Sequence, residues 1–290
     1  MLTAIRQSDK IKVIGEFIDK KKSETYYCEY CENPVTHNKS DSKIKVGHFK
    51  HKSGEPFCKN NTGETLEHIK TKLGIYNYIK ENYWDKLLEI EPEKWICKKS
   101  IRPDVYIETK KNTKIAIEVQ ASILPVSEIK RRTEKYFKEK INVLWVIIYD
   151  YNRFNKYKTE YGKTEDGSWG VVNSGYFYAD KVRLKEFEIF IYWAYFKNLI
   201  MWDLTGNHSN SFIVANMSDH KTDSVEFRRD GNDHYYEGKT TKVMKVPNYI
   251  RLNVSFDEFK PSPAIEFPVN YRQYVIPERL IFNYHTKPKK

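Results

Sequence analysis

The sequence predicts an α/β protein: a mixed sheet flanked by helices, with a small N-terminal metal-bearing module and a C-terminal region that is α+β or β-rich. Three observations predict it. Leu66, Ile69, Leu73, Tyr76 and Ile79 recur at helical spacing and give one apolar face. Val105-Tyr106-Ile107 and Ile115-Ala116-Ile117-Glu118-Val119 are short runs rich in β-branched and aromatic residues, and each reads as a strand. Lys111, Asn112 and Thr113 lie between them as a turn, so the pair reads as a hairpin. A second helix and a strong strand follow, and the order α, three strands, α, strand suits a mixed sheet covered by helices.

The elements can be taken in order. Residues 1 to about 22 alternate as strands: Ala4-Ile5, Ile11 to Ile14, then Phe17-Ile18. From Tyr26 to Cys58 the chain is turn-rich and holds three cysteines and three histidines, a composition that fits a metal-knit module better than a hydrophobic core. Asn60 to Gly63 breaks the chain. Thr62 or Thr65 can cap the helix that follows, with Glu64 and Glu67 near its positive end. A strand near Leu87 to Ile90 precedes the hairpin. The second helix runs from about Val126 to Lys138 with Ser127 as its cap, and Asn142 to Tyr149 is a strand. Asp150 to about Asp180 reads as loops and short strands. Val182 to Tyr195 fits a helix, though its aromatic content leaves a strand open. Beyond it, Leu199 to Leu204, Ser211 to Ala215, Val225 to Phe227 and Tyr249 to Val254 suggest β structure, and Pro261, Pro263 and Pro268 keep the next stretch extended. The expected units are residues 1–62, 63–150 and 151–290.

A chain of 290 residues can bury a sizeable core without staples. Its formal net charge of +11 favours an anionic partner, nucleic acid first. Aromatic residues make up 15%, which suits stacking on bases as well as core packing. No run is long enough for a transmembrane helix, and the N-terminus lacks a signal-peptide profile. A cytoplasmic protein without a membrane partner is expected. In that setting the Cys28-x-x-Cys31 spacing suggests a metal rather than a disulfide.

Two constellations carry chemistry. Strand side chains alternate faces, so Asp104 shares a face with Tyr106, and Glu118 with Gln120. If the hairpin brings these faces together, two carboxylates and an amide converge at one end of a sheet. Hard oxygen donors so placed can hold magnesium or manganese, which would activate a water. Glu118 lies between Ile117 and Val119 in an otherwise apolar strand, where a polar side chain needs a partner or a metal. The first helix presents Glu64, Glu67, His68 and Lys72. Glu64 and His68, and His68 and Lys72, are four apart and share a face. The second constellation is Cys28, Cys31, His48, His51 and Cys58, five candidates for the four positions of a structural zinc. Cys28, Cys31, His51 and Cys58 are the favoured set, with His48 in reserve. His37 reads as surface and Cys97 as a small buried residue.

Basic residues surround both constellations: Lys43, Lys45, Lys50, Lys52 and Lys59 in the module, and Lys130, Arg131, Arg132, Lys135 and Lys138 on the second helix. Such residues give phosphate affinity without reading sequence. On the second helix an ordinary solvated face is an equal reading, except at Arg132. Asp203, His208, Asp219 and His220 form no convincing site. Trp193, Tyr195, Phe196 and Trp202 read as core.

Glu64-Thr65-Leu66-Glu67-His68-Ile69-Lys70-Thr71-Lys72, Arg102-Pro103-Asp104-Val105, Glu118-Val119-Gln120-Ala121-Ser122 and Arg132-Thr133-x-x-Tyr136 together resemble the nuclease-like domain of the competence protein CoiA-like family. Ser127-Glu128-Ile129 and the strand Val143 to Ile147 extend the likeness. Cys28-x-x-Cys31 and His48-Phe49-Lys50-His51 resemble that family's N-terminal zinc-finger-like segment. The resemblance spans roughly residues 1 to 150. It implies a restriction-endonuclease-like fold of the PD-(D/E)XK superfamily and a metal-dependent phosphodiesterase ancestry. It also implies that Asp104 and Glu118 are metal ligands, that Glu67 and His68 are the helix-borne acidic and histidine positions, and that Arg132 and Tyr136 lie near the site. Arg102 joins them as a residue expected to contact nucleic acid. Gln120 stands where the superfamily usually has lysine. Glutamine cannot supply positive charge, and Lys72 is a candidate to supply it from the helix. The family is similar in having glutamine there.

The function expected is a magnesium- or manganese-dependent nuclease acting on DNA, single-stranded DNA included, with a structural zinc. The alternative is a DNA-binding accessory protein for recombination or DNA uptake that keeps the fold without cutting. A protein partner, or self-association through the C-terminal region, is a further expectation.

Overall fold

Five short strands at the N-terminus make the first sheet: β1 (Thr3–Arg6), β2 (Lys12–Ile14), β3 (Tyr26–Tyr27), β4 (Pro34–Asn38) and β5 (His48–His51), in the order β2-β1-β3-β4-β5. The structure is a computed structural model that describes residues 1–19, 24–39, 46–52, 58, 63–204, 210–269 and 272–282. Phe17, expected in a strand, ends a turn of 3-10 helix over Gly15–Phe17. The backbone turns there because Gly15 and Gly47 touch: a Cβ on Gly15 would lie 2.8 Å from the Gly47 oxygen. The sheet covers only a small cluster of Ala4, Tyr26, Cys28, Val35, Phe49 and Cys58.

Helix α1 (Leu66–Tyr83) begins where the Thr65 side chain accepts a hydrogen bond from the His68 amide at 3.2 Å. Thr62, the other candidate cap, lies outside the described residues. Ile69, Leu73, Tyr76 and Ile79 are buried as their spacing requires, whereas Leu66 at the first turn is 40% exposed. Then come β6 (Leu87–Pro92), β7 (Val105–Thr109), β8 (Lys114–Gln120), α2 (Val126–Lys138) and β9 (Ile141–Ile148). Helix α2 starts directly after Pro125 with no side-chain cap, so Ser127 is inside the helix. The chain continues through α3 (Tyr151–Phe154), β10 (Asn155–Lys163), β11 (Trp169–Tyr178), β12 (Val182–Arg183), α4 (Glu186–Ala194), β13 (Asn198–Asp203) and β14 (Ser211–Lys221). It ends with β15 (Val225–Arg229), β16 (Asn232–Tyr236), β17 (Thr240–Val254), β18 (Phe259–Ser262), β19 (Ile265–Val269), β20 (Arg272–Ile276) and β21 (Arg279–Phe282). The segment that left helix and strand open is both: a two-residue strand, then α4.

Eight strands form the main sheet in the order β12-β17-β14-β13-β9-β8-β7-β6. The pairs β6–β7 and β7–β8 are antiparallel. β8 and β9 are parallel, joined by the crossover through α2, and β13 lies parallel to β9. The sheet therefore does not stop at residue 150: β13, β14 and β17 continue it. One apolar core follows it, with Trp145, Phe190, Trp202 and Phe212 all fully buried. Tyr195 and Trp202 are core as expected, while Phe196 is 48% exposed. Among the described residues no helix is long and apolar enough to cross a membrane.

Candidate active site

The antiparallel register of β7 and β8 pairs Val105 with Ile117. It sets Asp104, one residue before β7, beside the end of β8, where Asp104 Oδ2 accepts the Val119 N–H at 2.8 Å. Period-two alternation sends Glu118 and Gln120 to one side of β8. Asp104, Glu118 and Gln120 all line a cleft of about 470 Å³ between α1 and α2. The faces converge as the spacing predicts.

Helix α1 supplies the other wall. His68 Nε2 donates to Asp104 Oδ2 at 3.1 Å, and His68 Nδ1 is 3.9 Å from Glu64 Oε1. Lys72 is fully buried. Its Nζ donates to Glu64 Oε1 at 2.8 Å and to Glu93 Oε1, and stands 3.8 Å from Asp104 Oδ1. Glu93 follows β6 with a φ of 54°, in the left-handed region. It is 1% exposed and accepts from the Leu2 amide (3.0 Å), the Thr3 amide (3.1 Å) and the Thr3 hydroxyl (2.9 Å). Arg102 completes the network at 3.7 Å from Glu93 and 4.0 Å from Glu64.

Helix α2 holds Glu118. Arg132 donates to its Oε2 at 2.8 Å, and the Tyr136 hydroxyl donates to its Oε1. The two acids are tuned in opposite directions. Burial and the nearby Asp104 charge push Glu118 up to about 7, only partly offset by Arg132 and Tyr136. Burial also opposes charge on Asp104, but His68, Lys72 and the Val119 N–H outweigh it and hold that carboxyl well below the usual carboxylate range. Burial works against protonated His68 too, and Asp104 reverses this and raises it. Lys72 is raised by Glu93 and Glu64 against its burial.

A family model for competence protein CoiA, nuclease-like domain, matches residues 64–230, more than half of the chain. The chain belongs to this CoiA nuclease-like family. No curated protein and no solved structure matches it at a significant level. The match starts at Glu64, which pairs with Lys72 in the cleft network, and reaches eighty residues past 150. The N-terminal sheet lies outside it.

Most of the residues read from the sequence meet in the cleft: His68, Arg102, Asp104, Glu118, Gln120, Arg132 and Tyr136 line it. Two placements differ: Lys72 is sealed behind the cleft wall and does not line it, and Glu67 is displaced. Glu67 is exposed and borders a neighbouring cavity instead, and Glu64 takes its place beside His68 and Asp104. Glu64, His68 and Asp104 each offer a ligand atom, and the three atoms lie within 4.8 Å of one another. Glu118 is outside that group. The Gln120 amide nitrogen is committed to the Ser122 carbonyl, which leaves its oxygen for the cleft. Glu93 was not singled out by its sequence context. Its backbone donors, Leu2 and Thr3, are about ninety positions away, and Lys72 reaches it from α1, so only the folded chain discloses it.

The residues present fit a divalent cation. Glu64 and Asp104 are hard oxygen donors. Glu64 Oε2 makes no hydrogen bond and is held only by an ion pair with the Met1 ammonium at 3.3 Å. The N-terminal module fits zinc. Cys28, Cys31, His51 and Cys58 bring their ligand atoms within 4.8 Å of one another, with Cys28 Sγ–Cys58 Sγ at 4.0 Å and Cys31 Sγ–His51 Nε2 at 3.4 Å. A tetrahedron with Zn–S near 2.3 Å has edges of about 3.8 Å. His48 is the spare candidate: its Nδ1 donates to the Val46 carbonyl at 2.9 Å. His37, expected at the surface, is half-buried against Tyr26 and Phe49 and bonded to the Gly15 carbonyl at 2.8 Å. Of the weak fourth group, Asp219 pairs with Lys245, and His208 lies outside the described residues.

Proposed function

We propose that this protein is a magnesium- or manganese-dependent deoxyribonuclease with a restriction-endonuclease-like core. One observation carries the reading: in a nuclease-like family, Glu64, His68 and Asp104 cluster in the same cleft that holds Glu118 and Gln120. Asp104 and Glu118, with Glu64 in place of Glu67, would hold the ion, which when bound lowers the pKa of a water and offsets phosphate charge. The chain's own groups do the rest. Lys72 and His68 keep Asp104 ionised and fixed in place. Arg132 presents a guanidinium at the mouth of the cleft for a phosphate oxygen. The Gln120 oxygen accepts from the attacking water. Lys72 supplies positive charge to the cluster, although it is sealed from solvent. A zinc held by Cys28, Cys31, His51 and Cys58 would be structural, since four protein ligands leave no open position. Reduced thiols at that site suit a cytoplasmic setting.

A second reading has its own support. Both Glu118 oxygens are already engaged by Arg132 and Tyr136, and Lys72, Arg102 and Arg132 balance the carboxylates around them. A protein so balanced could bind DNA as an accessory to recombination or DNA uptake without cutting. The test is purified protein with plasmid and with single-stranded DNA, with and without manganese or magnesium, beside an Asp104→Ala, Glu118→Ala double variant. Metal-dependent cleavage that disappears in the variant is expected. Cleavage unchanged in the variant overturns the site, and tight binding with no cleavage supports the accessory reading.

A further inference from the structure

Trp95 lies on the loop between β6 and β7 and lines the main cleft. Two groups meet its ring. One is Tyr30, with centroids 5.0 Å apart and planes at 31°. The other is the Arg102 guanidinium, 5.4 Å from the Trp95 ring centroid. Tyr30 is one of the two residues between Cys28 and Cys31, so it stands on the knuckle of the proposed zinc site. Further ties join that knuckle to the same loop. Lys99 Nζ donates to the Glu29 carbonyl at 2.7 Å. Lys12 pairs with the Glu29 carboxylate at 2.8 Å and donates to the Glu93 carbonyl at 2.8 Å.

The loop needs such support. Cys97, Lys98 and Lys99 have φ of 54°, 54° and 63°, three non-glycine residues in a row in the left-handed region. Residues with a Cβ hold that conformation only where the surroundings fix it. Arg102 stands at the far end of the loop, 3.7 Å from Glu93 and 4.0 Å from Glu64. Both distances are beyond hydrogen-bond reach. The guanidinium rests on Trp95 instead. Freed from that ring, it can close the short gap to Glu64 and bind the carboxylate through two N–H groups. Glu64 would then be lost to a cation.

We propose that Tyr30 and Trp95 are positioning residues through which the zinc knuckle keeps the cleft open to its cation. This rests on the cation and zinc readings above and adds a coupling between the two sites. The two-state element is the knuckle, whose folding is tied to zinc binding. While it is folded, Tyr30 braces Trp95, and Trp95 holds Arg102 off Glu64. When the knuckle opens, the brace is lost and Arg102 competes for the carboxylate. The module is then more than a scaffold: its occupancy sets the affinity of the cleft. Such a coupling is reciprocal, so a cation in the cleft tightens the zinc by the same factor.

The experiment uses the full chain, with its zinc content measured, and has two readouts. The first is amide hydrogen exchange, with zinc bound and after a chelator has removed it. The Ile96 and Ile101 amides bond across the loop at 2.8 and 3.3 Å. They are expected to exchange faster without zinc, while α1 and β8 stay protected. The second is manganese binding, followed by loss of the free ion's paramagnetic resonance signal. Tyr30→Leu, with its zinc retained, should weaken that binding about tenfold, a usual size for coupling between two sites. Tyr30→Phe, which keeps the ring, should restore it. If Tyr30→Leu fails to fold or to hold zinc, the exchange comparison on the wild type decides by itself. Unchanged exchange at Ile96 and Ile101 overturns the proposal. So does a zinc-loaded Tyr30→Leu that binds manganese as tightly as the wild type, and that result leaves the nuclease standing. A wild type that binds no manganese overturns the cation reading and this proposal with it.

Discussion

A lysine cut off from solvent has to be matched by carboxylates, and Lys72 is matched by Glu64 and Glu93. Taking one partner away leaves buried charge uncompensated, which costs more than the pair contributed. Lys72→Met is therefore expected to lower stability by about 3–5 kcal/mol in urea unfolding. Adding Glu93→Gln should recover at least about 1 kcal/mol, because the two residues share one interaction. A loss below about 1 kcal/mol in the single variant would mean that Arg102 takes over the role. Glu93 also explains what the sequence could and could not disclose at this scale. Glu118 was legible because an acid flanked by apolar strand residues must have a partner, and Asp104 because the hairpin and the period of two set it on the same side. Glu64 was harder to rank against Glu67: it precedes the Thr65 cap, so its direction depends on the loop entering α1 and not on helical phase. Glu93 was invisible, since its role depends on a left-handed turn after β6 and on a strand at the other end of the chain.

Among the elements, the N-terminal sheet depends most on something other than packing. Its cluster of buried apolar residues has six members among the described residues, only Tyr26 and Phe49 of them large, and two are cysteines of the proposed zinc site. Structural zinc in such modules has an apparent binding energy of roughly 10–16 kcal/mol, enough to hold what the core cannot. Elemental analysis is expected to find one zinc per chain. Stripping it with a chelator, or Cys31→Ser, should make the segment from Thr25 to Cys58 sensitive to protease while α1 and the main sheet stay protected. A chain free of zinc, or an unchanged digestion pattern, would contradict this. Legibility followed the same physics. The sequence pointed to the cluster because Cys28, Cys31, His51 and Cys58 lie within 31 positions of one another. The end of Phe17's expected strand did not show, because the contact of Gly15 with Gly47 bends the chain through a tertiary approach.

At the scale of the molecule, the sheet decides what can stand alone. Residues 63–150 read as a complete α/β unit, since they hold two helices and four strands in the expected order. In the structure, β9 is not an edge. It pairs with β8 on one side and β13 on the other, and the Trp145 amide donates to the Tyr195 hydroxyl at 2.9 Å. The order of strands along the chain gave no hint that β13 would return to β9, because a parallel pairing about fifty residues away leaves no local pattern. Cutting after residue 150 would strip β9 of that partner and of α4, exposing an apolar edge of Val143, Trp145 and Ile147. A fragment of residues 1–150 is therefore expected to be insoluble or to lack cooperative thermal unfolding, whereas residues 1–282 should unfold in a single main transition. A soluble, cooperatively folding 1–150 fragment would show that the site's scaffold is complete without the C-terminal strands. It would then be the simplest form in which to test the cleft.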